Sequence, residues 1–317
     1  PGPPDPSALE AHIDEEVQMP VIDPDPNMLK ASADSAKHAT EETWRHIDAE
    51  VVAADGDYVK LMTTLMDEGP WGYTIQPRIH GDGTVRAIII NTWDEIREAY
   101  EEVRGRSDLL RSESLIELRG TWYVFNESIS YGHVKTEPEP SPGTHLLGLF
   151  PVSSKKGISG ELVFPLLPKD FYGRGDVPAD IPTDRLELRE WILKLNERYL
   201  DAFRAGDVDG MLDTFNDDVA GGVRDYVNDT GALIELHGKD AARAHYTDFV
   251  AKYEINSVDL FDRVIQPEYV FFELRITATP RDGGPTVAFH TAQFDVLAKD
   301  NRSFVRIGHG TDPTTVV

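Results

Sequence analysis

One stretch of this chain occurs twice. Asp94-Glu95-Ile96-Arg97-Glu98-Ala99-Tyr100 realigns with Asp240-Ala241-Ala242-Arg243-Ala244-His245-Tyr246 at an offset of 146 residues. The same offset lays Tyr123-Val124-Phe125-Asn126-Glu127 on Tyr269-Val270-Phe271-Phe272-Glu273 without a gap. Apolar positions between these anchors also correspond: Val103 with Phe249, Leu109 with Ile255, Leu118 with Val264. Gly56-Asp57 pairs with Gly206-Asp207 once a short gap is allowed. Solenoid units run to roughly 20–50 residues, so a period this long describes two copies of one domain. The 317 residues suit about two domains.

The order of elements repeats as well. Residues 1–36, rich in proline and acid, read as an arm, and residues 37–172 as the first domain. Its opening helix is expected from about Ala39 to Ala54, where Trp44, Ile47, Val51 and Val52 form one stripe. A second helix follows at Tyr58–Met66, then strand-like sequence from Trp71 to Ile90 turning at His80-Gly81-Asp82-Gly83. Asp94 is placed to cap a third helix. Strands are expected at Leu115–Leu118, Trp122–Val134, His145–Val152 and Ile158–Leu166. Residues 173–183, with Pro178 and Pro182, form the linker. Residues 184–317 repeat the order, with helices near 184–204, 208–215 and 240–253 before four long strand-like segments.

Composition removes several function classes. A net charge of −25 repels phosphate backbones and no basic cluster offsets it, so no nucleic-acid partner is expected. No run approaches the 18 or so apolar residues of a membrane helix, and no leader pattern is read, which gives a cytoplasmic expectation and no membrane partner. Zero cysteines exclude thiolate chemistry and disulfides. Walker, G-x-G-x-x-G, G-x-S-x-G and H-E-x-x-H motifs are absent. Histidines are scattered, so no metal and no cofactor is expected.

Helices followed by long antiparallel hairpins describe an α+β unit with helices against one face of a curved sheet. The second copy resembles the nuclear transport factor 2-like superfamily, in its SnoaL-like polyketide cyclase and ketosteroid isomerase branch. The resemblance rests on Tyr199-Leu200-Asp201-Ala202-Phe203-Arg204-Ala205-Gly206-Asp207-Val208-Asp209-Gly210-Met211 and on Gly238-Lys239-Asp240-Ala241-Ala242-Arg243. It covers most of residues 186–312. The terminal strand departs from the family pattern: an aromatic is missing near its end and His309 stands close by. The resemblance implies two cone-shaped barrels forming an intrachain pseudo-dimer, each cone opening on an apolar cavity. A further homo-oligomer is left open.

Strand parity places Tyr123, Phe125, Glu127, Ile129, Tyr131 and His133 on one face. A carboxylate, phenols and an imidazole on an apolar wall suit proton transfer. Glu127 has Glu273 as its counterpart, which equally fits a role in the fold. His133, Tyr131, Glu127, His290, Asp295 and His309 are the catalytic candidates, with Asp295 and His309 pairing if strand register brings them together. Trp71, Tyr73, Tyr100, Trp122, Tyr123, His145, Tyr226, Tyr246 and Tyr269 are candidates for a substrate-binding wall. The expected function is a cofactor-independent proton transfer on a hydrophobic aromatic or polycyclic molecule, as lyase, dehydratase, cyclase or isomerase. A non-catalytic binding module is the rival, and one reactive copy with one structural copy is a third reading. The first copy is favoured as the reactive one.

Overall fold

The computed structural model describes residues 26–52, 58–74, 78–79, 85–169, 172, 178–228 and 230–316. The Gly56-Asp57 break, the turn at 80–83 and most of the arm lie outside them. The first half contains α1 (Pro26–Val52), α2 (Tyr58–Met62), β1 (Gly72–Thr74), β2 (Arg78–Ile79), β3 (Val85–Arg86), β4 (Ile89–Ile90) and α3 (Trp93–Arg106). Four longer strands follow: β5 (Ser107–Arg119), β6 (Tyr123–Val134), β7 (Thr144–Pro151) and β8 (Gly160–Pro165). The second half contains α4 (Arg185–Ala205), α5 (Val208–Leu212), β9 (Phe215–Arg224), β10 (Leu233–His237) and α6 (Gly238–Lys252). It ends with β11 (Tyr253–Ile265), β12 (Tyr269–Pro280), β13 (Val287–Leu297), β14 (Ser303–Gly310) and the short β15 (Thr314–Thr315).

The two sheets have one topology. The first runs β4-β1-β8-β7-β6-β5 and the second β10-β9-β14-β13-β12-β11, with β15 beside β13. In each, one parallel pair, β1 with β8 or β9 with β14, joins otherwise antiparallel neighbours. Even irregularities recur: β5 shifts register between Leu109/Arg111 and Ser114/Ile116, and β11 at the equivalent Ile255/Ser257 and Leu260/Asp262. The chain is thus an α+β tandem of two cone-like units.

Local chemistry explains the helix ends. Asp184 caps α4 by accepting from Leu186 N at 2.9 Å and Glu187 N at 3.1 Å. Gly206 closes the helix at φ 66°, and Asp207 caps α5 through Gly210 N. The glycine-aspartate break is therefore a C-cap followed by an N-cap. The sequence assigned the α3 cap to Asp94; Thr92 holds it, in a capping box with Glu95. The first helix also begins earlier than the expected Ala39, at Pro26, where proline's fixed φ and missing N–H suit a first helical turn.

The odd-numbered face of β6 packs against the same face of β12. Tyr123, Phe125, Leu147, Leu149 and Phe164 share one buried cluster with Tyr269, Phe271, Phe294, Phe304 and Ile307. Phe125 and Phe271, equivalent in the repeat, stack at 4.2 Å and mark the pseudo-two-fold axis. Such a contact is isologous: the same surface patch meets itself. Polar contacts reciprocate across it. Tyr269 donates to Glu127 at 2.5 Å and Tyr123 donates to Glu273 at 3.1 Å, while His145 and His290 flank those two carboxylates at 2.6 and 3.0 Å. Among the described residues no helix is long and apolar enough to cross a membrane.

Candidate active site

The even-numbered face of each hairpin turns into its own cone, and the two interiors differ. On β12 that face carries Phe272, Leu274, Ile276 and Ala278, all buried in the second core. On β6 the same positions are Asn126, Ser128, Ser130 and Gly132. Large apolar side chains fill one cone; small polar ones leave the other open. A cavity of about 480 Å³ results in the first half, against about 50 Å³ in the second.

A charged cluster stands at the wall of the larger cavity. His46 and Glu50 are four residues apart on α1 and share a helix face. Glu161 comes from β8, and Tyr100 and Arg104, also four apart, from α3. Glu50, Tyr100, Arg104 and Glu161 all line the cavity. Arg104 Nη2 donates to Glu50 Oε1 at 3.2 Å. The Tyr100 hydroxyl donates to Glu161 Oε2, and His46 Nε2 lies 3.4 Å from the same oxygen. Thr64 gives its proton to the Leu61 carbonyl, so its oxygen accepts from His46 Nδ1 at 2.7 Å. That fixes the ring with Nε2 toward Glu161 and Tyr100.

The two carboxyls are driven apart. Burial, reinforced by the neighbouring Glu161, pushes Glu50 up to about 7 despite His46 and Arg104. Burial works to raise Glu161 too, but hydrogen bonds and charge from His46, Tyr100 and Arg104 outweigh it and hold that carboxyl below its usual value. Near neutral pH the pair therefore offers one acid and one carboxylate. Burial and Glu161 raise the Tyr100 phenol well above its ordinary range, so it stays a donor. Arg104 Nε, shielded from solvent, has no hydrogen-bond partner among the described residues. A buried orphan donor is costly. Ligand atoms of His46, Glu50 and Glu161 lie within 4.8 Å of one another, a spacing a cation could bridge. The Arg104 guanidinium already holds Glu50, and its positive charge would oppose such a cation.

The sequence-derived candidates fall elsewhere, with one exception. Tyr100 lines the cavity, and Tyr73 is buried behind it, its ring 6.4 Å away. Glu127, Tyr123, His145 and Tyr269 belong to the interdomain contact, as does Trp122, which donates to Glu273 at 3.0 Å. Parity grouped those β6 residues on one face, and that face meets the other domain. His133, near the strand end, contacts the Glu137 carbonyl at 2.9 Å, and Tyr131 lies under the Arg111 guanidinium. Trp71 donates to the Met66 carbonyl and packs on Trp93. His290 sits against Glu273 and beside Phe261.

The proposed Asp295–His309 pair does not form. Register sets Asp295 opposite Arg306 and His309 opposite Ala292. Arg306 binds Asp295 with two nitrogens at 2.8 and 2.6 Å, donates to Tyr246, and lies between the Tyr199 and Phe215 rings. His309 is buried, has no side-chain hydrogen-bond partner for either nitrogen among the described residues, and is depressed to about 3, chiefly by burial. Tyr226 and Tyr246 line the small second cavity with it. Sequence reasoning missed Glu50, Glu161, Arg104 and His46. The spacing of His46 and Glu50 on one helix face was the available signal.

Comparison with known proteins fits the second half. The family model described as "SnoaL-like domain" matches residues 196–306. The second half is a SnoaL-like domain. Solved structures similar to this chain each span about one such domain. The epoxide hydrolase/cyclase-like enzyme SalBIII of pyran ring formation in salinomycin is 12% identical, covers 40% of this chain and 97% of its own, and has a TM-score of 0.33. A protein of Mycobacterium tuberculosis is 19% identical over 39% of this chain and 96% of its own, with a TM-score of 0.34. A putative polyketide cyclase of Xanthomonas campestris pv. campestris is 17% identical over 38% and 90%, at 0.31. No curated protein matches. The SnoaL-like domain has the filled cone, and its topological twin in the first half has the open one.

Proposed function

We propose that the first-half cavity is the active site of a cofactor-independent enzyme that moves protons on a hydrophobic small molecule. The reading rests on two carboxyls with opposed proton affinities at the wall of a roomy cavity, since such a split assigns an acid and a base. Glu161 takes a proton from an acidic C–H, and its C–H bonding pair moves into the substrate as an enolate. Glu50 delivers its proton to the enolate oxygen, and the guanidinium of Arg104, which lines the cavity, steadies charge there as it develops. His46 and Tyr100 position Glu161. Isomerisation, dehydration and aldol-type cyclisation begin with this step; aldol-type cleavage starts instead from a hydroxyl proton and ends with its reverse, protonation of the enolate carbon. The filled SnoaL-like domain serves as structural partner.

Deuterium uptake tests this without knowledge of the natural substrate. With 2-tetralone, a small aromatic ketone with acidic C–H bonds, the protein in D₂O should speed exchange above buffer, and EDTA should not slow it. Exchange no faster than with heat-denatured protein would overturn the proposal, and loss to EDTA would require a metal.

The pH dependence has a defined sign. The acid form of Glu50 is lost as pH rises through about 7, so the exchange rate should fall above that value. The same group weakens the fold as pH rises. Between 4.5 and about 7 the folded protein keeps a proton that the unfolded chain has released. Denaturant titrations across this window and rate–pH profiles from pH 6 to 8 check both slopes. A rate flat from pH 6 to 8 would count against Glu50 as the acid.

A further inference from the structure

We propose that the first-half cavity takes a molecule with at least two oxygens along one edge of an apolar body, an inference that names the substrate class for the acid–base site above. The observation is a polar ladder. Asn126, Ser128 and Ser130 follow at every second position of β6 and are at least nine-tenths buried, with exposures of 3%, 6% and 9%. All three line the cavity, with Ser112 and Thr144 from the flanking strands. Ser130 and Ser112 share a hydrogen bond at 3.1 Å, and Asn126 bonds Ser114. Ser128 has no side-chain partner among the described residues.

The fold does not require hydroxyls here. The same three positions of the second copy hold Phe272, Leu274 and Ile276 in an apolar core. Burying a hydroxyl with no partner costs free energy; Ser128 has no side-chain partner among the described residues and Ser130 and Ser112 share one bond between two O–H groups, so these hydroxyls mark where an occupant supplies oxygens. Alternate strand positions lie about 6.8 Å apart, which sets the spacing of the polar edge. Elsewhere the lining includes Ile47, Val103, Leu146, Phe150, Val163 and Pro165, which suit the apolar body.

A matched pair of probes tests this on the full chain. 2,7-Dihydroxynaphthalene carries two hydroxyls on one edge of a rigid aromatic, and 2,7-dimethylnaphthalene has nearly the same shape without them. Fluorescence titration should show the diol binding about tenfold tighter, as two modest hydrogen bonds would give. The Ser128→Ala/Ser130→Ala variant should bring the two within about threefold by weakening the diol alone. If that variant does not fold, Ser128→Ala carries the test with a roughly threefold loss of diol affinity. Equal or tighter binding of the dimethyl compound, no saturable binding of either, or a preference that survives loss of the serines would overturn the inference. Absence of deuterium exchange with the preference standing would remove the acid–base reading and not this one.

Discussion

Glu50→Gln should lower deuterium exchange about 10²–10⁴-fold, the usual range for a lost general acid or base. The amide keeps the size of the side chain and can still accept from Arg104, but it has no acidic proton to deliver. Glu161→Gln should fall in the same range by removing the base, and the double variant should lose little more, because the groups act on one step. Tyr100→Phe should cost less, since it removes a donor to Glu161 and leaves the carboxylate in place. Arg104 is nearly buried, so each variant's melting curve must accompany its rate. Either glutamine variant exchanging at the wild-type rate while folded would sink the assignment.

The largest stability effect is expected in the other half. Asp295→Asn should destabilise the protein by roughly 3–5 kcal/mol, because it strands a fully buried guanidinium without its carboxylate. Arg306 is 1% exposed and has both carboxylate oxygens of Asp295 within hydrogen-bond distance. Replacing both partners, as Arg306→Met with Asp295→Leu, should cost far less, since no charge is left uncompensated. Equilibrium unfolding in urea measures both. A wild-type midpoint for Asp295→Asn would mean that the pair contributes nothing.

These positions also separate the two copies. Register makes Phe150 and Glu161 the counterparts of Asp295 and Arg306. Glu127 lies opposite Leu147 and Glu273 opposite Ala292, and the same alignment carries along the next strands. One copy closes its interior with an internal ion pair. The other leaves a carboxyl facing a cavity.

The architecture was legible because a gapless repeat is a statement about geometry. β5 and β11 begin at Ser107 and Tyr253, and β6 and β12 at Tyr123 and Tyr269, which preserves the 146-residue offset. The Gly206-Asp207 break was also readable, since a left-handed cap followed by a side-chain cap is local chemistry. The grouping of Tyr123, Phe125 and Glu127 was right as parity. Its orientation was not, because a two-residue period says which side chains share a face and not what that face meets. In a paired domain both faces of a sheet are buried, and the aromatic one belonged to the partner. The small polar run Asn126-x-Ser128-x-Ser130-x-Gly132 was on the page as the quieter face of the same strand.

The sequence by itself therefore determined a duplicated α+β fold, its element order and its local caps, because these depend on short-range periodicity and on comparison of the chain with itself. Only the tertiary structure decided which face of β6 lines the cavity, which cone is filled, and that Glu50, Tyr100, Arg104 and Glu161 meet. Those four residues come from two helices and a distant strand. The split between the two carboxyls arises from shared burial and mutual charge, which exist only once the chain has folded.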